Sequence, residues 1–173
     1  MFDTCVLGVD PGVSRCGIAA IVRRDRATEL RWAGTIRTSG AAPEAERLRS
    51  IASAMREAVA RFAPASVAIE RVAWNRNQVS ALQVARATGV LMMVAAEAGL
   101  EVEEYSPSEV KSAVTGAGNA TKAQVAEALV RLHRLRGVPD EPDAADAIAV
   151  ALTHLVGAPL RRAAAGGGVG SPR

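Results

Sequence analysis

Four carboxylates stand where carboxylates are costly. Asp10 closes the apolar run Cys5–Asp10, and Glu70 closes the run Ser66–Glu70 (SVAIE), so each ionised group ends a segment that reads as a buried strand. Asp143 and Asp146 lie three apart in EPDAADAIAVALTHL, a spacing that puts both side chains on one helix face. Each has an ordinary explanation when taken alone. Asp10 suits the start of a turn at Pro11-Gly12, and Glu70 precedes Arg71 and suits a strand-end ion pair. Asp143 and Asp146 suit the positive end of a helix opening at Pro142. That last reading is weakened because Asp140 and Glu141 already stand ahead of Pro142 to cap the helix. Asp143 and Asp146 are also flanked only by Ala, with nothing basic beside them in sequence.

The combination says more than any member. Two unit charges about 4 Å apart repel by roughly 4 kcal/mol at an effective dielectric of ~20. Four carboxylates brought together must raise one another's pKa values or hold cations. An all-oxygen donor set favours hard ions such as Mg2+ or Mn2+. Two such ions about 3.5–4 Å apart are the usual machinery for in-line phosphodiester hydrolysis. His133 and His154 are far apart in sequence and are expected to stay outside the site. Cys5 and Cys16 have no metal-type spacing and read as small buried thiols of a reducing cytosol.

The elements that must position these groups follow from the patterning. Cys5–Asp10 and Gly17–Val22 read as a strand pair, and Leu30–Thr38 alternates as a third, half-exposed strand. Pro43–Phe62 carries Leu48, Ile51, Met55, Val59 and Phe62 at helical spacing. Ser66–Glu70 is a short buried strand, a long helix spans 77–98, and Gly99–Tyr105 offers a fifth strand. Helices are expected near 107–114, 121–135 and 142–156. This order predicts an α/β fold: a mixed five-stranded central sheet with helices on both faces. Ligands of such sheets favour the carboxyl ends of neighbouring strands.

A chain of 173 residues fits one domain, expected over 1–158, and its 49% hydrophobic and 23% charged content is that of a soluble globular protein. The start lacks a secretory signal pattern, and the longest apolar run, GVLMMVAA at 89–96, is too short to cross a bilayer. The net charge of +3 misleads about nucleic acid. Without Arg161, Arg162 and Arg173 the 21 basic residues fall to 18, equal to the 18 acidic ones, so any grip on DNA must come from local clustering. Residues 159–173, rich in Gly, Pro and Ala, are expected to be disordered. The abundance of Ala reads as codon bias and good helix propensity.

GVDPG at 8–12, AIERV at 68–72, PSEVKSAVTGAGNATKAQV at 107–125 and DAADAIAVALTH at 143–154 carry a resemblance. Over roughly residues 5–156 the chain resembles the RuvC crossover-junction endonucleases. The resemblance implies an RNase H-like fold, a homodimer, and symmetric metal-dependent nicking of four-way DNA junctions in recombination and repair. It also implies work beside a branch-migration complex (RuvA and RuvB) in the cytoplasm. It marks Asp10, Glu70, Asp143 and Asp146 as the catalytic, metal-holding carboxylates. Lys111 and Lys122, the only two lysines against 19 arginines, match basic residues that meet the DNA backbone.

The chain departs from the family at Ala73, where an aromatic side chain that stacks at the crossover often stands. Trp74 is expected to take over that stacking, worth roughly 1–3 kcal/mol per base, with Arg76 and Asn77 adding polar contacts. The competing expectation is that Trp74 packs under its own loop. The 77–98 helix is apolar nearly all round, which suits burial and a dimer face together. Three other functions stay open at this point: an RNase H-like nuclease acting on RNA, an actin-like ATPase, and a non-catalytic junction-binding module. The ATPase needs a second phosphate loop and a longer chain, and four intact carboxylates argue against the binding module.

Overall fold

The computed structural model describes residues 4–25, 27–72 and 78–166. Ten elements follow in order: β1 (Thr4–Asp10), β2 (Arg15–Arg24), β3 (Ala27–Arg37), α1 (Glu44–Phe62), β4 (Ser66–Glu70), α2 (Gln78–Glu97), β5 (Glu101–Tyr105), α3 (Pro107–Thr115), α4 (Lys122–Arg131) and α5 (Pro142–Gly166). The strands form the expected mixed sheet in the order β3-β2-β1-β4-β5. β1 pairs antiparallel with β2 and parallel with β4; β3 pairs antiparallel with β2, and β5 parallel with β4. Asp10, Glu70 and Tyr105 therefore end their strands at one edge of the sheet. Arg15, which starts β2, and Arg37, which ends β3, stand at the same edge.

Side-chain alternation splits the core in two. Leu7, Val9, Cys16, Ile18, Val67 and Ile69 face Ile51 and Met55 of α1 and Leu91 and Val94 of α2. Val6, Ala19, Ile21 and Ala68 face α3, α4 and α5, through Val110, Leu129, Ile148 and Leu152 among others. Helices thus cover both faces, as the period-2 strands require.

The second face is packed unusually close. A Cβ built on Gly8 would lie 2.1 Å from the Ala147 carbonyl oxygen, and one on Gly17 would lie 1.9 Å from that of Asp143. Ala144, Ala147 and Ala151 are fully buried on the helix side. The small residues let α5 rest on the backbone of β1 and β2, and this contact fixes where its first turn sits.

Two helix ends differ from the sequence reading. α4 stops at Arg131 and not near 135, because Arg134 (φ 54°) and Gly137 (φ 72°) take left-handed conformations that a helix cannot continue through. α5 runs to Gly166 and not 156, so it takes in the first part of 159–173. Ala163–Ala165 are strong helix formers, and the glycine run begins only at Gly166.

Candidate active site

Asp10 sits at the end of the central strand, paired across to Gly17, and Glu70 ends the adjacent parallel strand. Asp143 and Asp146 face them from the first two turns of α5, on the helix face that the Gly8 and Gly17 contacts press onto the sheet. Sequence placement and structure agree on all four positions. The four groups feel one another. Burial pushes the Asp10 carboxyl up to about 8, and the nearby charges of Glu70, Asp146 and Asp143 add to the rise. Glu70 is raised by burial and then by Asp146, and it is close enough to Asp10 for the two carboxyls to hydrogen-bond.

Two cations that sequence adjacency could not reveal partly balance the cluster. Lys122, at the start of α4, makes a close ion pair with Asp146, and that bond raises the Lys122 ammonium pKa. The Arg15 Nε lies 3.8 Å from Asp143 Oδ2. Nothing basic stands beside Asp143 and Asp146 in sequence, and their partners come from 128 and 24 residues away. Lys111 also reaches the cluster, where its charge lowers the pKa of Glu70. Both lysines flagged in the sequence stand beside the carboxylates.

Other neighbours of the site have structural duties. Arg71 is not the partner of Glu70; its Nη2 donates to the Glu104 carbonyl at 3.3 Å. Glu141 does not cap α5 with its side chain, which accepts from Arg37 Nη2 at 3.2 Å; its carbonyl accepts from Ala145 N–H at 3.0 Å. Ser106 and Thr121 are N-caps of α3 and α4, each in a reciprocal capping box, so their hydroxyls are already engaged. His154 bridges Ser66 Oγ and Tyr105 Oη at 3.0 Å each, and His133 meets the Val114 carbonyl at 2.8 Å. Neither histidine belongs to the cluster. The turn after Asp10 is braced by Arg47, only 8% exposed, whose Nη2 donates to Ser14 Oγ at 2.7 Å and whose Nε donates to Thr38 Oγ1 at 2.9 Å. Ala73, Trp74, Arg76 and Asn77 lie outside the described residues.

Among the described residues no three Asp, Glu, His or Cys side chains stand at ready metal-ligating spacing. Asp143 and Asp146 are engaged with Arg15 and Lys122 instead. The donor set still fits hard divalent ions. All four donors are carboxylates, burial and acidic neighbours raise the Asp10 and Glu70 carboxyls, and the two on α5 already attract cations.

The model of the family described as crossover junction endodeoxyribonuclease RuvC matches residues 6–154. The RuvC of Leifsonia xyli is 41% identical over 167 residues, covering 96% of this chain and 80% of its own. The chain belongs to the RuvC family. Among solved structures, T. thermophilus RuvC in complex with Holliday junction substrate superposes with a TM-score of 0.85 at 33% identity, over 91% of this chain and 96% of that one. The yeast mitochondrial Holliday junction resolvase, at 14% identity and a TM-score of 0.67 over 92% of this chain and 81% of its own, shares the fold. The RNase H-like sheet implied by the sequence motifs is the one found. The RuvC family model spans all five strands except the first residues of β1, and it reaches the His154 turn of α5.

Proposed function

We propose that this RuvC-family chain resolves four-way DNA junctions by symmetric, metal-dependent nicking in recombination and repair. The observation that carries the proposal is the convergence of Asp10, Glu70, Asp143 and Asp146 at the carboxyl end of the parallel strands, in a chain of this family. These four residues would hold divalent cations, Mg2+ or Mn2+, two per site, and Asp10 lies at the centre of the sheet. Such ions, when bound, would supply an activated water and charge neutralisation at the leaving oxygen. Glu70 and the Asp143–Asp146 pair flank Asp10 from either side. Lys111 and Lys122 bind the phosphate backbone and offset charge that develops on it. Trp74, Arg76 and Asn77 meet the exchanging bases, with Trp74 stacking where Ala73 cannot.

The nuclease unit is residues 1–158, and it works as a cytoplasmic homodimer. Among the described residues no helix is long and apolar enough to cross a membrane. Support for the dimer comes from α2. Its exposed face carries Val79, Leu82 and Met93 at helical spacing, with open space over Gly89 that would admit a second helix. A two-fold axis through that face gives two sites for paired cuts. A branch-migration complex (RuvA and RuvB) is the expected partner at the junction.

The test is Asp10→Asn in a nicking assay on mobile and fixed four-way junctions, with Mg2+ and Mn2+ in turn and with linear duplex and structured RNA as competitors. The variant folds and binds junctions but does not cut them. Wild-type cutting by Asp10→Asn would sink the site assignment, and a preference for RNA would sink the substrate.

A further inference from the structure

Across the carboxyl edge of the sheet, the strand order reads the charges out in sequence. Arg37 ends β3, Arg15 starts β2 and is its register partner, Asp10 ends β1, and Glu70 ends β4. Lys111 and Lys122 approach from α3 and α4, Lys122 paired with Asp146 and both close enough to Glu70 for their charges to act on it. The carboxylates therefore lie between two basic flanks. The arginine flank has so far only its ion pairs with the start of α5.

The arginine flank is built to be exchangeable. Arg15 is 60% exposed and Arg37 57% exposed, and each is held by one acid of the α5 N-terminal turn: Arg15 by Asp143 at 3.8 Å and Arg37 by Glu141 at 3.2 Å. Exposed pairs of this kind are worth about 0–1 kcal/mol, so they do not require these arginines for stability. Asp143 is also a proposed cation ligand, and its engagement with a divalent ion would release Arg15. A guanidinium offers a planar fork that matches a phosphate better than an ammonium does. β3 lies two strand spacings from β1, about 10 Å.

We propose that Arg15 and Arg37 form a backbone-phosphate track for the DNA strand being cut, on the β2–β3 side of the carboxylates and opposite Lys111 and Lys122. This rests on the reading of the chain as a junction nuclease. The track contacts no base, so it holds the strand in place without adding sequence preference.

The experiment measures binding of the full chain to a synthetic fixed four-way junction and to a linear duplex, by fluorescence anisotropy in Ca2+ across salt. Arg15→Gln and Arg37→Gln each lower the slope of log affinity against log salt by about 1, and the double variant by about 2. Arg15→Lys and Arg37→Lys keep the slope. Glu141→Gln, which frees Arg37, leaves binding at or above wild type. Were Arg37 only a clasp between β3 and α5, Glu141→Gln would weaken binding as much as Arg37→Gln. That result, or a double Gln variant with wild-type slope and affinity, overturns the track. If the wild-type chain prefers duplex to junction, the junction reading fails, and the slope change on duplex still decides the track.

Discussion

The two faces of the sheet are packed to different tolerances. Under α1 and α2 the strands offer Leu7, Val9, Ile18 and Ile69, large aliphatic side chains that interdigitate with Ile51, Met55 and Leu91. Under α5 they offer Gly8, Gly17, Ala19 and Ala68, and the helix answers with Ala144, Ala147 and Ala151. A layer of large side chains can adjust its rotamers when one member changes. A layer of backbone against backbone has nothing to adjust. Both faces bury large aliphatic side chains elsewhere, but the backbone contact at Gly8 and Gly17 fixes the distance at which Asp143 and Asp146 meet Asp10 and Glu70.

The sharpest way to break this contrast is Gly17→Val. Its branched side chain collides with the Asp143 carbonyl and must push the start of α5 off the sheet. Junction cutting in a nicking assay is expected to fall at least ~100-fold, the scale of an ångström-sized misplacement at a catalytic site. Ile51→Ala on the other face is expected to cost about 2–5 kcal/mol in denaturant unfolding. Under folded conditions its cutting rate stays within about twofold of wild type. If Ile51→Ala slows cutting as much as Gly17→Val does, the two faces do not divide the labour.

A pH series tests the close-packed face without a change in packing. The Asp10 carboxyl is raised from an ordinary 3.8 to about 8 by burial and by its acidic neighbours. Between those values the folded protein keeps a proton that the unfolded chain has released. Stability is then complete at the acid end and is lost as pH rises through the folded value. The melting temperature of the metal-free protein is expected to fall between about pH 5 and 8, and Asp10→Asn or saturating Mg2+ should flatten that fall. A melting temperature that rises over this range would contradict the clustering. The smallest effect belongs to the outside of the aliphatic face. Arg56 and Glu97 link α1 to α2 at 3.1 Å, both exposed, and Arg56→Ala should change unfolding free energy by less than about 1 kcal/mol.

Much of this was legible in the residues. The strands ending in Asp10 and Glu70 announced themselves because apolar runs stop on a charge, and the spacing of Asp143 and Asp146 declared a shared helix face. The α5 contact was not legible. Gly8 and Gly17 look like weak points of strands, and the Ala-rich helix looks like composition, until the strand order places one on the other. The ion pairs of Lys122 and Arg15 were hidden for the same reason, since their acids lie far away in sequence. Arg37 reads as an ordinary strand-end charge until its register partner is known. The end of α5 was missed because a flanking glycine run drew the preceding alanines into one compositional class.

The Arg47 brace has a dynamic consequence for the turn that carries Asp10. A guanidinium withdrawn from water and satisfied by the Ser14 and Thr38 hydroxyls cannot lose those partners cheaply while it stays buried. Opening the turn therefore requires α1 to loosen as well. Residues 11–14, short and rich in turn formers, would by themselves flicker open on the timescale of a surface loop. Tied to Arg47, they take on the opening free energy of a nineteen-residue helix. Amide exchange at Val13 and Ser14 should follow that of α1, which leaves the central carboxylate on a segment that stays shut between turnovers.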